Sequence, residues 1–366
     1  MSRARTFADL ATASEAGSLG NRNMIINGNM AIHQRVATDT HNDSAVDRFA
    51  LVKNGLDTAD FTTKHQLITD NPPFSDALEI KCTTADTSIG AAELIRIRAR
   101  LEANTLQKLQ YGSASAKTST LSFWVKSNLT DTFSVGLTSQ DGTKQNIGFT
   151  YTIAQANTWQ KVILNIPANT SATIDNDNGN GMMIVWGLSV GSNYRGTANT
   201  TWADFGQTRR LNGHTANIAS STSNNFYLTG VQWELGDVAT PFKMESYAEN
   251  LARCQRYYYL AATAGTDPMG TGSWYGSTEI DWFVKFPVTM RAKPSLEATS
   301  GTNYYRSIGS ATYDDFNGVA ISNDKSIEGA YLYATNAAHG ASGTQGDASI
   351  VIALDASAKV ALSAEL

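Results

Sequence analysis

Alternation of apolar and polar positions is clearest over residues 226–235. There Phe226, Leu228, Gly230, Gln232 and Glu234 would point one way from a strand, and Tyr227, Thr229, Val231, Trp233 and Leu235 the other. Gly236-Asp237 interrupts the pattern. Pro241 has no backbone donor, so the ladder must end before Phe242, and a domain is expected to close there. Upstream, the same period recurs over 78–82, 94–101, 121–126, 133–137 and 159–166, separated by turn clusters, while 182–188 is continuously apolar, as in a strand covered on both faces. Short strands at this spacing predict a mostly β fold, a sandwich or jelly roll. Trp124, Trp159, Trp186 and Trp233 fall within them and are expected in the core.

After Phe242 the period changes. Residues 246–260 place Tyr247, Leu251, Cys254 and Tyr258 on one helical face, with Ser246 available as a cap. Strands are expected again at 282–288, in part of 322–334, at 348–354 and at 359–362, with Pro287 and Pro294 putting the first at an edge or bulge. Near the start, Phe7, Leu10 and Ala11 have helical spacing before Gly17 and Gly20. A helix this short cannot bury its own stripe, so Phe7 and Leu10 are candidates for docking on another chain. The expected organisation is a segment 1–22, a jelly roll 23–242, a linking helix 243–260 and a smaller β domain 261–366.

Composition narrows the partners. Charged residues are only 17% of the chain, the net charge is -5, and no Lys/Arg cluster stands out along the sequence, which argues against nucleic acid. Cys82 and Cys254 are too few for a disulfide framework or a four-cysteine zinc site and read as reduced thiols. No apolar run approaches the ~20 residues a bilayer span needs, and residues 1–10, with no long apolar core, are not expected to act as a secretory signal.

Candidate chemistry is sparse. The histidines are scattered. The loop 175–181 offers oxygen ligands at alternate positions, so Asp175 and Asp177 are a weak calcium candidate, although Trp186 stands where a helix-loop-helix calcium motif has Glu. Glu279 and Asp281 share a strand face, and Asp314 adjoins Asp315, the minimum for hydrolysis of a sugar linkage. Trp274 and Tyr275 lie in a Gly-rich stretch, and Tyr304, Tyr305 and Tyr313 in polar surroundings. Aromatic faces beside Asn and Asp suit sugar rings, which makes these five the glycan-binding candidates, with core or subunit packing as the alternative.

Several segments carry a resemblance. The start Met1-Ser-Arg-Ala-Arg, the "NMIINGNMAIHQR" of 23–35 and Asp47-Arg48-Phe49 resemble the opening of fibre proteins of marine tailed bacteriophages. "LSFWVKS", "TWQKVILNIP" and "GVQWELG" resemble carbohydrate-binding jelly rolls of the galactose-binding-like kind, over residues 25–242. Glu245, Ser246, Tyr247, Glu249, Leu251, Cys254, Gln255, Arg256, Tyr257 and Tyr258 match a segment that joins such a jelly roll to a carboxy-terminal β domain, with Lys243-Met244 departing from the pattern, and "FPVTMRAKP" of 286–294 resembles the same proteins. The resemblance implies a non-enzymatic virion protein, a tail fibre made in the host cytoplasm. It would be a homotrimer, attached to other virion proteins through its amino terminus and to host cell-surface polysaccharide through 261–366. A capsid decoration or head fibre protein is the alternative, and a glycan depolymerase a further one.

Overall fold

The computed structural model describes residues 22–35, 38–39, 45–55, 58–71, 73–196, 200–263, 265–309 and 313–366. Phe7, Leu10 and the amino-terminal segment lie outside them. The chain divides into two compact units, the first running to Tyr247 and the second covering Ala248–Glu365.

The strands of unit 1 are β1 (Thr38–Asp39), β2 (Ala50–Asn54), β3 (Asp60–Leu67), β4 (Asp76–Thr84), β5 (Leu94–Glu102), β6 (Ser119–Ser127), β7 (Thr132–Ser139), β8 (Gln145–Thr152), β9 (Gln160–Ile166), β10 (Asn180–Val190), β11 (Ala203–Asp204) and β12 (Asn225–Leu235). They form two six-stranded antiparallel sheets, in the orders β1-β3-β4-β12-β6-β9 and β11-β8-β7-β10-β5-β2. The chain crosses repeatedly between the sheets, which gives the jelly-roll sandwich. The inner faces meet over Phe61, Ile97, Phe123, Phe133, Trp186 and Phe226, all buried, and their removal from water is the main force holding the sheets together.

The closing strand β12 is central in its sheet but does not keep one alternation. Its register with β6 shifts between Thr229 and Gln232, and Gly230 there has φ +61°. Beyond this bulge the faces exchange, so Phe226 and Leu228 before it and Val231 and Trp233 after it all enter the same core. Residues 23–32 run beside it: Met24 N–H donates to Trp233 O at 2.9 Å and Val231 N–H to Gly28 O at 2.8 Å. Glu234, also buried, pairs with Arg22 at 3.2 Å and accepts from Thr240 N–H at 2.9 Å and Thr240 Oγ1 at 2.6 Å.

Two of the four expected core tryptophans are displaced. Trp186 and Trp233 are fully buried, whereas Trp124 and Trp159 are half-buried against a small cluster with Ile68 and Phe74. Trp124 points from the outer face of β6. Trp159 precedes β9 and donates its Nε1–H to Asp70 at 2.8 Å.

The division falls after the first residue of helix α1 (Tyr247–Gln255), which is shorter than the sequence pattern suggests and buries Asn250 and Cys254, while Tyr247 is exposed. A turn from Tyr257 N–H to Cys254 O at 2.9 Å ends it. The tyrosines that extend the helical pattern instead begin β13 (Tyr258–Ala262), whose backbone pairs with the last strand. There follow β14 (Asp267–Gly276), β15 (Glu279–Lys285), β16 (Ser295–Ala298), β17 (Tyr305–Ile308), β18 (Tyr313–Phe316), β19 (Ala320–Lys325), β20 (Gly329–Thr335), the short helix α2 (Asn336–His339), β21 (Ala348–Ala353) and β22 (Val360–Ser363). A three-stranded sheet, β13-β22-β16, and a seven-stranded sheet, β18-β17-β21-β14-β15-β20-β19, share a core that contains Trp274, Trp282, Met290, Tyr305 and Phe316. β15 is an interior strand rather than an edge, because it stops at Lys285, two residues before Pro287. Among the described residues no helix is long and apolar enough to cross a membrane.

Candidate functional site

The outer face of the seven-stranded sheet carries aromatic rings where a strand exposed on one side normally carries polar residues. On β15, Ile280, Trp282 and Val284 face the core, leaving Glu279, Asp281 and Phe283 outside. On β20, Ala330, Leu332 and Ala334 face the core, leaving Tyr331 and Tyr333 outside. The register sets Phe283 opposite Tyr331 and Asp281 between Ser273 and Tyr333. The Phe283 and Tyr331 rings lie 5.1 Å apart, and the two side chains are 45% and 49% exposed.

These residues line an open groove of about 1160 Å³ together with Ser322, Asn323 and Asp324 of β19. One wall is aromatic and the rest presents carboxylate, amide and hydroxyl groups. Partial burial, and then the charge of Glu279, raise the Asp281 carboxyl above its usual range. Further along the face, Tyr313, Ile308 and Ile350 continue an exposed row in register across β18, β17 and β21.

The five aromatic candidates separate. Trp274 is 4% exposed and faces the core of unit 2, where a side chain at Gly343 would come within 2.3 Å of its indole. Tyr305 is fully buried, stacked on Phe316 and donating its hydroxyl to Thr299 O at 2.6 Å and Lys359 O at 3.0 Å. Neither can meet a ligand, because the strand period turns both inward and their neighbours cover them. Tyr304 is half-buried beside Tyr305. Tyr275 is exposed at the end of β14. Tyr313 is exposed on the groove's side of the sheet, with one ring face covered by Arg306 at 4.0 Å, an arginine held bidentately by Asp315 at 2.5 and 2.9 Å.

Phe283, Tyr331 and Tyr333 are therefore the aromatic residues missed from sequence. Their signal was present: on both strands the positions alternating with core residues are themselves aromatic. A measurable consequence is that Tyr305→Phe should cost unit 2 about 1 kcal/mol, since the Thr299 and Lys359 carbonyls lose the hydroxyl they share as a donor. Tyr275→Ala should stay within about 0.5 kcal/mol of the parent in urea unfolding.

Asp175 and Asp177, the calcium candidates, lie in the loop before β10. Asp177 Oδ1 accepts Gly179 N–H at 2.7 Å, and Asp175 N–H donates to Asp141 Oδ2 at 3.0 Å. These contacts shape the loop's own turn. Among the described residues no three His, Cys, Asp or Glu side chains gather as a metal site. Cys82 and Cys254 are both buried.

No protein-family model matches the chain, and neither does any curated protein. Solved structures resemble it only in part. The enzymatically active domain of bacteriophage CBA120 tailspike protein 4 aligns at TM-score 0.33 and 12% identity, covering 58% of this chain and 21% of that one. The family 11 carbohydrate-binding module of a Clostridium thermocellum cellulosomal cellulase aligns at 0.28 and 11%, covering 57% and 99%. The xylan-binding domain of Paenibacillus barcinonensis Xyn10C aligns at 0.28 and 8%, covering 55% and 94%. At these scores the neighbours assign neither ligand nor activity to this chain.

Proposed function

We propose that this protein is a virion structural protein of a tailed bacteriophage, a tail fibre, that attaches to the host by holding a cell-surface glycan in the groove of unit 2. The observation that carries the glycan reading is the exposed Phe283–Tyr331 pair beside Asp281, Asn323 and Asp324 on one sheet face. Sugar rings stack their C–H faces on aromatic rings while carboxylates and amides accept from the hydroxyls. The virion reading is supported by the sequence resemblance at 23–35 and 245–258. A homotrimer held to other virion proteins by its amino terminus belongs to the same reading.

The test is binding of the full chain to host cells and to polysaccharide extracted from them. Phe283→Ala and Tyr331→Ala should each weaken binding at least about tenfold, the loss of roughly 1.4 kcal/mol of stacking. Both side chains are about half exposed, so the variants should fold. Undiminished binding by both would rule the groove out.

One observation favours a second reading, glycan depolymerisation: Glu279 and Asp281 stand in the groove, and Asp281 holds its proton to higher pH than an ordinary carboxyl. Host polysaccharide incubated with the protein would then gain reducing ends, and Asp281→Asn would stop the gain.

A further inference from the structure

The other face that departs from expectation is in unit 1. On β5, Ile95, Ile97, Ala99 and Leu101 enter the core, and Arg96, Arg98 and Arg100 alternate onto the outer face of the sheet. Their partners on β10 are Gly187, Val185 and Met183. The chain after β10 folds back over this face, packing Leu211 and Tyr194 against Leu94, Met183, Val185 and Val190. It passes so close that a side chain at Gly136 would lie 2.0 Å from Arg210 O. A fourth arginine is thereby brought to the ladder: Arg210 Nη2 sits 3.6 Å from Met183 Sδ. Arg210 lies more than a hundred positions from Arg96, Arg98 and Arg100 in the sequence, so only the folded chain joins it to them.

Arg96 is only 6% exposed, and its Nε–H, like that of Arg210, has no partner. Neither guanidinium forms an ion pair with any described residue. Burial, followed by the charges of Arg210 and Arg98, lowers Arg96 to about 9, so it remains a cation at neutral pH. Burying a cation without a counterion is costly, and apolar side chains of similar volume would stabilise the sheet better. A chain with 33 acidic residues and a net charge of -5 has carboxylates to spare for pairing, yet none of the described ones pairs with Arg96 or Arg210, whereas Arg100 at the end of the ladder donates to Leu366 O. The planar fork of arginine matches a carboxylate or sulfate through parallel hydrogen bonds, which lysine cannot reproduce.

We infer that this face is an oxyanion-binding site, with Arg96 and Arg210 as the principal donors and a carboxylate or sulfate group as the ligand, either as a free ion or as a substituent of an acidic saccharide. It lies in unit 1 and does not depend on the groove of unit 2.

The full chain tests this by thermal unfolding and calorimetric titration with sodium sulfate, with a polygalacturonate oligosaccharide, and with a neutral maltooligosaccharide, all at constant ionic strength. Sulfate or oligogalacturonate should raise the unfolding temperature of the parent protein, and the neutral sugar should not act at this site. Arg96→Met should unfold at the parent's temperature or above in chloride alone, and should bind the anions at least about tenfold more weakly. Arg210→Met provides the same readout should Arg96→Met fail to fold. Phe283→Ala should leave anion binding intact, which separates this site from the groove. Affinity at least tenfold higher for oligogalacturonate than for sulfate assigns a saccharide substituent; equal affinity assigns a free ion. No response of the parent to either anion, or an undiminished response in both arginine variants, would overturn the site.

Discussion

Gly230→Val is expected to lower the unfolding free energy of unit 1 by about 4 kcal/mol, the sum of two independent penalties. Residue 230 has φ +61°, where an L side chain costs roughly 1–2 kcal/mol and a β-branched one sits at the upper end. In addition, its Cβ would lie 2.6 Å from Phe74 Cζ and 2.8 Å from Trp124 Cδ1, and forcing a close-packed cluster apart costs roughly 1–3 kcal/mol. Gly236→Ala separates the two. Its φ is +93° but nothing lies within 4 Å of its Cβ, so strain alone should appear, about 1 kcal/mol. Urea unfolding followed by tryptophan fluorescence measures both. Equal losses at 230 and 236 would mean that the contact with Phe74 and Trp124 contributes nothing.

That residue also shows where the sequence stops being readable. Periodicity located β12 and its end, but a bulge inserts one residue and exchanges the faces, and alternation cannot register this without the partner strand. The linking helix shows the same limit. Tyr258 fits the helical stripe as well as it fits a strand, and pairing with β22, a hundred residues later, decides between them. Trp124 and Trp159 have core-like composition around them, yet the loop after β3 supplies Phe74 and Ile68 as a separate cover.

The candidate sites were legible in proportion to how local they are. Phe283, Tyr331 and the ladder Arg96, Arg98 and Arg100 each occupy the outward register of a single strand, so alternation alone places them on a surface. Trp274 and Tyr305 were selected for aromatic character in polar surroundings. Polar neighbours in sequence do not remain neighbours once strands alternate, and both rings turned inward. Arg210 and the groove wall from β19 depend on chain return, and only the folded structure brings them to their sites.

Acid should destabilise unit 1 through a histidine that no functional reading used. His214 is 1% exposed between sheet and loop; its Nε2 lies 2.8 Å from Ala216 O and its Nδ1 3.0 Å from Ser134 Oγ. A carbonyl can only accept, so Nε2 carries the proton and Nδ1 accepts from the serine. The neutral ring is satisfied, and burial holds its pKa down to about 4, against the Ala216 and Leu188 carbonyls, which favour protonation, with Arg195 opposing it and Asp131 favouring it more weakly. In the unfolded chain the ring titrates near 6.5. Below that pH the unfolded state binds a proton that the native state refuses, so the stability is complete above about 6.5 and is lost progressively as pH falls toward 4. A separation of this size corresponds to about 3 kcal/mol. His33 and His339 are also lowered, chiefly by partial burial, and act with the same sign. Asp70 and Asp76 are lowered below 3.8 and contribute only at more acid pH. The part due to His214 is therefore read by difference. His214→Gln, measured beside the parent by urea unfolding at pH 7 and pH 4.5, should be less stable at pH 7, where the parent's buried hydrogen bonds are intact, and should lose far less on acidification. A variant that keeps the parent's full pH slope would show that the titrating group lies elsewhere.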